Sequence, residues 1–179
     1  MAVAEDFSFE ERKEQERMVL ESVERFLDKD VAPYAHNLEA DDTYPQEIVD
    51  KMVDMGLFGA TIGSEYGGLG LSVSTYAKIV ERVSTVWMSV SGIFNSHLIM
   101  AAAVERAGTE EQKAKWLPKF ASGELRGGIA LTEPDAGTDL QGIRTRADKS
   151  GNGYSLNGAK TRISNACLLY TSPSPRDGL

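Results

Sequence analysis

After Gly123 the chain changes its hydrophobic period, and this change limits the folds open to it. Upstream, apolar residues recur at helical spacing. Downstream, Ile143, Thr145 and Ala147 alternate with Arg144, Arg146 and Asp148, the period of a strand. Lys149 to Gly153 (KSGNG) reads as a turn, and Asn157-Gly158 as a strong hairpin dipeptide. Tyr154 and Leu156 alternate between them, and Lys160 to Ser164 reads as the return strand. Strands are expected to begin near the apolar run Gly127 to Leu131. Helices followed by antiparallel strands define an α+β chain. The expected division is a helical domain over 1–122 and a strand-bearing segment over 123–166, within one α+β fold or as two domains. No internal repeat is visible.

The helical half carries start and stop signals. Ser8 and Glu11 have capping-box spacing, and Val19, Leu20, Val23, Phe26 and Leu27 form one apolar stripe. The first helix is expected over 9–28, with a weak continuation to Pro33. Pro45 starts a second helix that buries Ile48, Val49, Met52 and Val53, and Gly56 ends it. Gly63 to Gly70, GSEYGGLG, must be an irregular loop, and its Glu65-Tyr66-Gly67-Gly68 stretch is read as a bend needing positive φ. Ser72 caps a helix with Val73, Tyr76, Val80 and Val83 on one face. A further helix over about 88–107 is apolar around most of its circumference and is expected to be buried on several sides. Thr109 and Gln112 repeat the capping-box spacing before Trp116, Leu117 and Phe120.

Charge and composition exclude several function classes. The net charge of -8 argues against a nucleic-acid backbone or an anionic membrane as the main partner. No apolar run approaches the roughly 20 residues that span a bilayer, so no membrane insertion is expected. The acidic N-terminus is neither a secretory signal nor a transit peptide by pattern, and the expected compartment is the cytoplasm. The single cysteine allows no intrachain disulfide and no Cys-based zinc site, and His36 and His97 lack ligand spacing; no metal site is expected. His97 reads as a satisfied core histidine.

The segment Leu131 to Leu140, LTEPDAGTDL, concentrates the residues suited to ligand chemistry. Pro134 fixes one dihedral, Ala136 and Gly137 leave the backbone bare, and Thr132 and Thr138 add hydroxyl donors. That combination suits a phosphate or a flavin carbonyl edge. By the residues alone the signal is weak, and an ordinary Asp/Gly/Thr loop after a strand is the commoner account. Glu133, Asp135 and Asp139 read as turn formers and caps rather than proton-transfer groups.

The same segment carries a family resemblance. TEPDAGTD, followed by Tyr154-Ser155-Leu156-Asn157-Gly158 and Lys160-Thr161, resembles the acyl-CoA dehydrogenases. So do Gly56-Leu57-Phe58-Gly59, Tyr66-Gly67-Gly68-Leu69-Gly70, and Gly108-Thr109-Glu110-Glu111-Gln112-Lys113 with Trp116-Leu117-Pro118. The resemblance covers residues 5–166. It implies a helical N-terminal domain, a β-barrel middle domain of which only the opening strands are here, and a helical C-terminal domain absent from this chain. It implies non-covalent FAD and abstraction of an α-proton from an acyl-CoA while a hydride leaves the β-carbon for the flavin. The implied product is a trans-2-enoyl-CoA, the implied electron acceptor an electron-transfer flavoprotein, and the implied assembly a homotetramer.

Carried over residue by residue, the resemblance implies that Ile129, Leu131, Thr132, Gly137 and Thr138 lie along the flavin and its pyrophosphate. Thr132 falls beside the pyrimidine ring, and Thr138 meets both cofactor and acyl-CoA. Arg162-Ile163-Ser164 stands where an aromatic-Ile-Thr run faces the isoalloxazine. Ser164 keeps the hydroxyl. Arg162 replaces the usual Trp, either as a cation that alters the flavin's packing or as a single-nucleotide change from a Trp codon. Ser91, Phe94 and Asn95 are the candidates for lining the acyl tunnel. No catalytic base is assignable: the family's carboxylate lies in the C-terminal domain, and the fragment alone is expected to be inactive.

Two other readings stay open at this stage. An acyl-CoA oxidase or flavin monooxygenase would share the fold. A non-catalytic helical binding module would need no flavin. Residues 167–179, CLLYTSPSPRDGL, match neither half. They resemble the translation of a transposon-end sequencing adapter, and the natural segment is expected to stop near Ala166.

Overall fold

The computed structural model describes residues 9–164 and residue 166. Ser8 and the tail over 167–179 lie outside the described residues, and so do the expected Ser8–Glu11 cap and the adapter-like run. The chain divides into two compact units, Met1–Gly127 and Gly128–Leu179.

The first unit is helical. Helix α1 (Phe9–Phe26) does not stop near residue 28. It passes into a π-helical turn over Leu27–Val31 and on into α2 (Ala32–Ala40), so the helical path runs well beyond Pro33. The cause is Pro33 itself. A proline ring lacks an N–H and collides with the carbonyl one turn back. The wider turn, in which the Ala32 N–H reaches Leu27 O, takes up the misfit and lets the helix resume. Helix α3 (Gln46–Asp54) starts after Pro45 and ends at Gly56, whose φ of 73° suits a residue without a Cβ. Ile48, Val49 and Met52 are buried and Val53 is partly so.

The glycine-rich segment folds back on the turn Leu57–Gly59. Leu69, Gly70 and Leu71 donate backbone hydrogen bonds to Gly59, Ile62 and Ala60, each at 2.9 Å. At Gly68 an added Cβ would lie 2.1 Å from Ile62 O and 2.7 Å from Gly59 O, so only glycine permits this approach.

Helix α4 (Val73–Ala107) begins at Ser72, whose Oγ accepts from the Thr75 N–H at 3.2 Å. It kinks at Trp87 (φ -156°, ψ 101°). The Glu39 carboxylate secures that kink, accepting from Trp87 Nε1 and from Ser89 Oγ. Before the kink the fully buried stripe is Thr75, Ile79 and Val83; of the expected face Val83 is buried, Tyr76 and Val80 are half-buried against the core, and Val73 is exposed. After it, Val90, Phe94, Leu98 and Ala101 enter the core, whereas Met88 and Ile99 face outward. By length and composition alone α4 is able to cross a membrane. The expectation that no segment reaches that limit is corrected: Ser, Thr and His interrupt the apolar run, but few charges do. In the structure α4 spends its apolar stripe on the core. Helix α5 (Glu110–Ala121) opens with a complete capping box: Gln112 N–H donates to Thr109 Oγ1, and Thr109 N–H donates to Gln112 Oε1.

Among the described residues the second unit holds one antiparallel hairpin, β1 (Arg146–Ser150) with β2 (Gly153–Asn157), Ala147 opposite Leu156 and Lys149 opposite Tyr154. Gly151 (φ 56°) makes the turn. Two expectations fail here. Asn157-Gly158 does not turn the chain back, because Asn157 does not adopt the positive φ that a two-residue turn of that type requires. Residues 160–164 are therefore not a strand, and neither are 127–131. The Thr161 N–H to Thr132 O bond, 3.0 Å, joins these stretches without extending into a ladder. Both strands are exposed along their length; Tyr154 and Leu156 are 71 % and 73 % exposed.

Candidate functional site

The TEPDAGTD loop is shaped by a tight turn. Glu133 and Ala136 exchange backbone hydrogen bonds, with Pro134-Asp135 at the corner. Beyond it, Asp139 Oδ1 accepts from the Gln141 N–H at 3.1 Å and starts the short turn Leu140–Gly142. The turn holds Ala136 inward and leaves Gly137 and Thr138 at the surface.

Glu133 anchors this loop. Its side chain is 6 % exposed. Oε2 accepts from the Arg144 N–H at 2.7 Å, and Oε1 accepts from the Thr145 N–H and Lys160 Nζ, each at 2.9 Å. The Thr145 hydroxyl beside it, then the Arg144 N–H and Lys160, hold the carboxyl down to about 2. That hydroxyl is buried and lies outside good hydrogen-bond geometry, so the firm contacts are the two backbone donors and the ammonium. Lys160 Nζ also donates to Leu131 O at 3.0 Å. By sequence Glu133 reads as a turn former and Lys160 as the start of a return strand, and no feature of their 27-residue separation joins them.

These contacts bring two motif segments to one concavity of about 430 Å³. Thr132, Asp135, Gly137, Thr161 and Arg162 line it. Arg162 has a φ of 57°, a left-handed backbone that a bulky residue seldom adopts, and its side chain is exposed. An added Cβ at Gly137 would meet nothing within 4 Å, so the main chain there faces open space. Among the described residues, the Gly137 and Thr138 N–H groups and the Thr132 and Thr138 hydroxyls donate to nothing within the chain. Of these donors Thr132 and Gly137 line the concavity and Thr138 follows at its edge in sequence, a donor set of the kind that suits the carbonyl edge or pyrophosphate of FAD. Ile129 and Leu131 are partly exposed on the approach to the loop, and Ile163 and Ser164 follow Arg162.

The candidate tunnel residues belong to the first unit. Phe94 is fully buried in its core. Ser91 Oγ donates to Met88 O at 2.7 Å and accepts from Ser84 Oγ at 3.0 Å. Asn95 Oδ1 accepts from the Tyr76 hydroxyl, whose pKa burial raises to about 12. No group of His, Cys, Asp and Glu among the described residues is placed to hold a metal ion.

Comparison with known proteins identifies the family. The family profile "Acyl-CoA dehydrogenase, N-terminal domain" matches residues 13–124. The (2S)-methylsuccinyl-CoA dehydrogenase of Cereibacter sphaeroides is 40 % identical over 158 residues, 88 % of this chain and 29 % of that protein. Butyryl-CoA dehydrogenase from Megasphaera elsdenii superposes with a TM-score of 0.80 at 31 % identity, over 90 % of this chain and 43 % of that one. The acyl-CoA dehydrogenase from Bacillus anthracis solved in complex with FAD gives 0.74 at 32 % identity, over 93 % and 29 %. The chain thus spans less than half the length of these relatives. With the helical unit matched by the family profile and the loop and hairpin included in the wider alignments, the chain belongs to the acyl-CoA dehydrogenase family.

Proposed function

We propose that this chain supplies the N-terminal helical unit and the flavin-facing loop of an enzyme that desaturates acyl-CoA thioesters to trans-2-enoyl-CoA. The observation that carries the reading is the junction of two motif segments by Glu133 and Lys160 around one concavity of uncommitted donors. FAD held there would supply the hydride acceptor for the substrate's β-carbon. The chain's own residues do the positioning. Thr132 and Thr138 present hydroxyls to the cofactor, Gly137 lets the main chain approach it, and Ser164 and Arg162 approach from the second segment. Thr138 also meets the acyl-CoA. Of the tunnel candidates Asn95 has surface to offer the acyl chain, with Ser91 and Phe94 packed behind it in the core. Glu133 takes no proton: its carboxyl stays ionised, and its lone pairs serve Arg144, Thr145 and Lys160.

The α-proton is taken by a carboxylate supplied from outside these 179 residues, so the chain alone does not turn over. Electrons leave to an electron-transfer flavoprotein, and the working assembly is a homotetramer. The test is dye-linked oxidation of acyl-CoA thioesters, with enoyl-CoA quantified. The full reading frame recovered from the source DNA should give matched dye reduction and enoyl-CoA; the 179-residue chain with added FAD should give neither. Turnover that consumes oxygen in place of the dye would contradict the dehydrogenase reading, as would a full frame with neither flavin nor turnover.

A further inference from the structure

Gly127 closes the first unit, and its N–H donates to a side chain thirty residues earlier, His97 Nδ1, at 3.1 Å. The imidazole is fully buried (0 % exposed). Because Gly127 supplies the hydrogen, Nδ1 carries none. The ring proton therefore sits on Nε2 and is donated to Phe120 O, 3.1 Å away in the last turn of α5. Phe58 and Phe120 meet the ring edge-on, with centroids 5.2 and 5.7 Å from it. One neutral side chain thus joins α4, the end of α5 and the backbone at the unit boundary.

We infer that His97 is a positioning residue: its neutral imidazole pins Gly127 to the first unit and fixes the point from which the chain leaves for the Thr132–Thr138 loop. The clamp stands on the first unit's geometry alone. Only its relevance to a cofactor rests on the function proposed above. Protonation would open it, since a hydrogen on Nδ1 would face the Gly127 N–H, donor against donor. Burial holds the imidazole neutral and lowers its pKa, and Arg126 acts in the same direction. The Phe120 and Phe58 carbonyls act against them. Arg126 is the charged group facing the ring; α5 and the Leu57–Gly59 turn present aromatic rings and carbonyls, and the adjacent turns of α4 present Phe94 and Ala101.

The test is amide hydrogen exchange on the full chain, isotope-labelled and followed by NMR from about pH 7.5 to about pH 4.5, corrected for the intrinsic pH dependence of exchange. The Gly127 amide should be protected at neutral pH. It should lose roughly tenfold protection as His97 titrates, while the α5 amides keep theirs. His97→Asn leaves an acceptor where Nδ1 was and has no proton to gain; protection should persist and the pH step vanish. His97→Gln keeps a donor toward Phe120 but offers Gly127 nothing; protection should be lost at every pH. A core-filling role predicts no pH step and equal effects of the two substitutions, and that result overturns the inference. If either variant fails to fold by far-ultraviolet circular dichroism, the pH step in the unmodified chain decides. No readout involves flavin, so failure here and failure of the desaturase reading are separable.

Discussion

Lys160 Nζ and Glu133 Oε1 lie 2.9 Å apart, an ion pair that ties the start of the Thr161-Arg162 segment to the turn carrying Thr132 and Gly137. Most ion pairs among the described residues are of another kind. Arg17 with Glu14 and Glu21, and Lys113 with Glu110, sit on exposed helix faces and contribute little. The Glu133 carboxylate also closes two backbone donors, so its removal leaves Arg144 and Thr145 N–H without an acceptor. In Glu133→Ala the exchange of those two amides should rise by roughly tenfold or more, with α1–α5 unchanged. Lys160→Met should affect the loop less, because the backbone donors remain. Unchanged exchange in Glu133→Ala would remove Glu133 as the anchor.

The same contacts set a pH dependence. The folded-state pKa of Glu133 is depressed to about 2, against about 4.3 for a free glutamate. A depressed carboxyl stabilises the fold fully above the unfolded value and loses that contribution as pH falls toward the folded one. The second unit should therefore keep its loop through about pH 4, where ordinary carboxyls are half protonated, and release it toward about pH 2. The side-chain carboxyl carbon of Glu133, titrated by NMR, should show a midpoint well below that of exposed glutamates. A midpoint in the ordinary range contradicts the geometry.

Two glycines should respond oppositely to alanine. At Gly68 the new Cβ would press on backbone carbonyls of Ile62 and Gly59, which cannot give way as a side chain does. Gly68→Ala should cost about 3 kcal/mol. Gly92 lies inside α4 with nothing within 4 Å of a Cβ. Gly92→Ala should stabilise by about 0.5–1 kcal/mol. Urea denaturation of the first unit's helical signal measures both.

Thr109 tests the capping box at the start of α5. Its hydroxyl accepts from Gln112 N–H, and the Gln112 side chain returns the bond. Thr109→Ala should destabilise by about 1 kcal/mol, and Thr109→Ser should recover most of it, again by urea denaturation.

What was legible in the sequence was mostly local. Caps at Ser72 and Thr109, the stop at Gly56 and the turn at Gly151 depend on a few adjacent residues, and each forms where the pattern puts it. The continuation past Pro33 was not legible, because the π-turn that absorbs the proline is worth forming only where α1 and α2 both pack on α4. The face of α4 before its kink was legible at Val83 but not at Thr75 and Ile79, since several residues compete and only tertiary contacts choose. The return strand after Asn157-Gly158 failed for a related reason: a hairpin dipeptide turns the chain only if a partner edge rewards it. In the site, the loop and the second motif were legible as segments. The Glu133–Lys160 contact that joins them was not, because a long-range ion pair leaves no periodic trace.

The central claim is that the Ile129–Thr138 loop and the Arg162–Ser164 segment face FAD. The direct measurement is an FAD titration of the isotope-labelled chain, with amide shifts mapped by NMR. The account predicts saturable shifts concentrated at Thr132, Gly137, Thr138 and Thr161 to Ser164, with α1 and α3 silent. Shifts that are absent at saturating FAD, or confined to the helices, would contradict it.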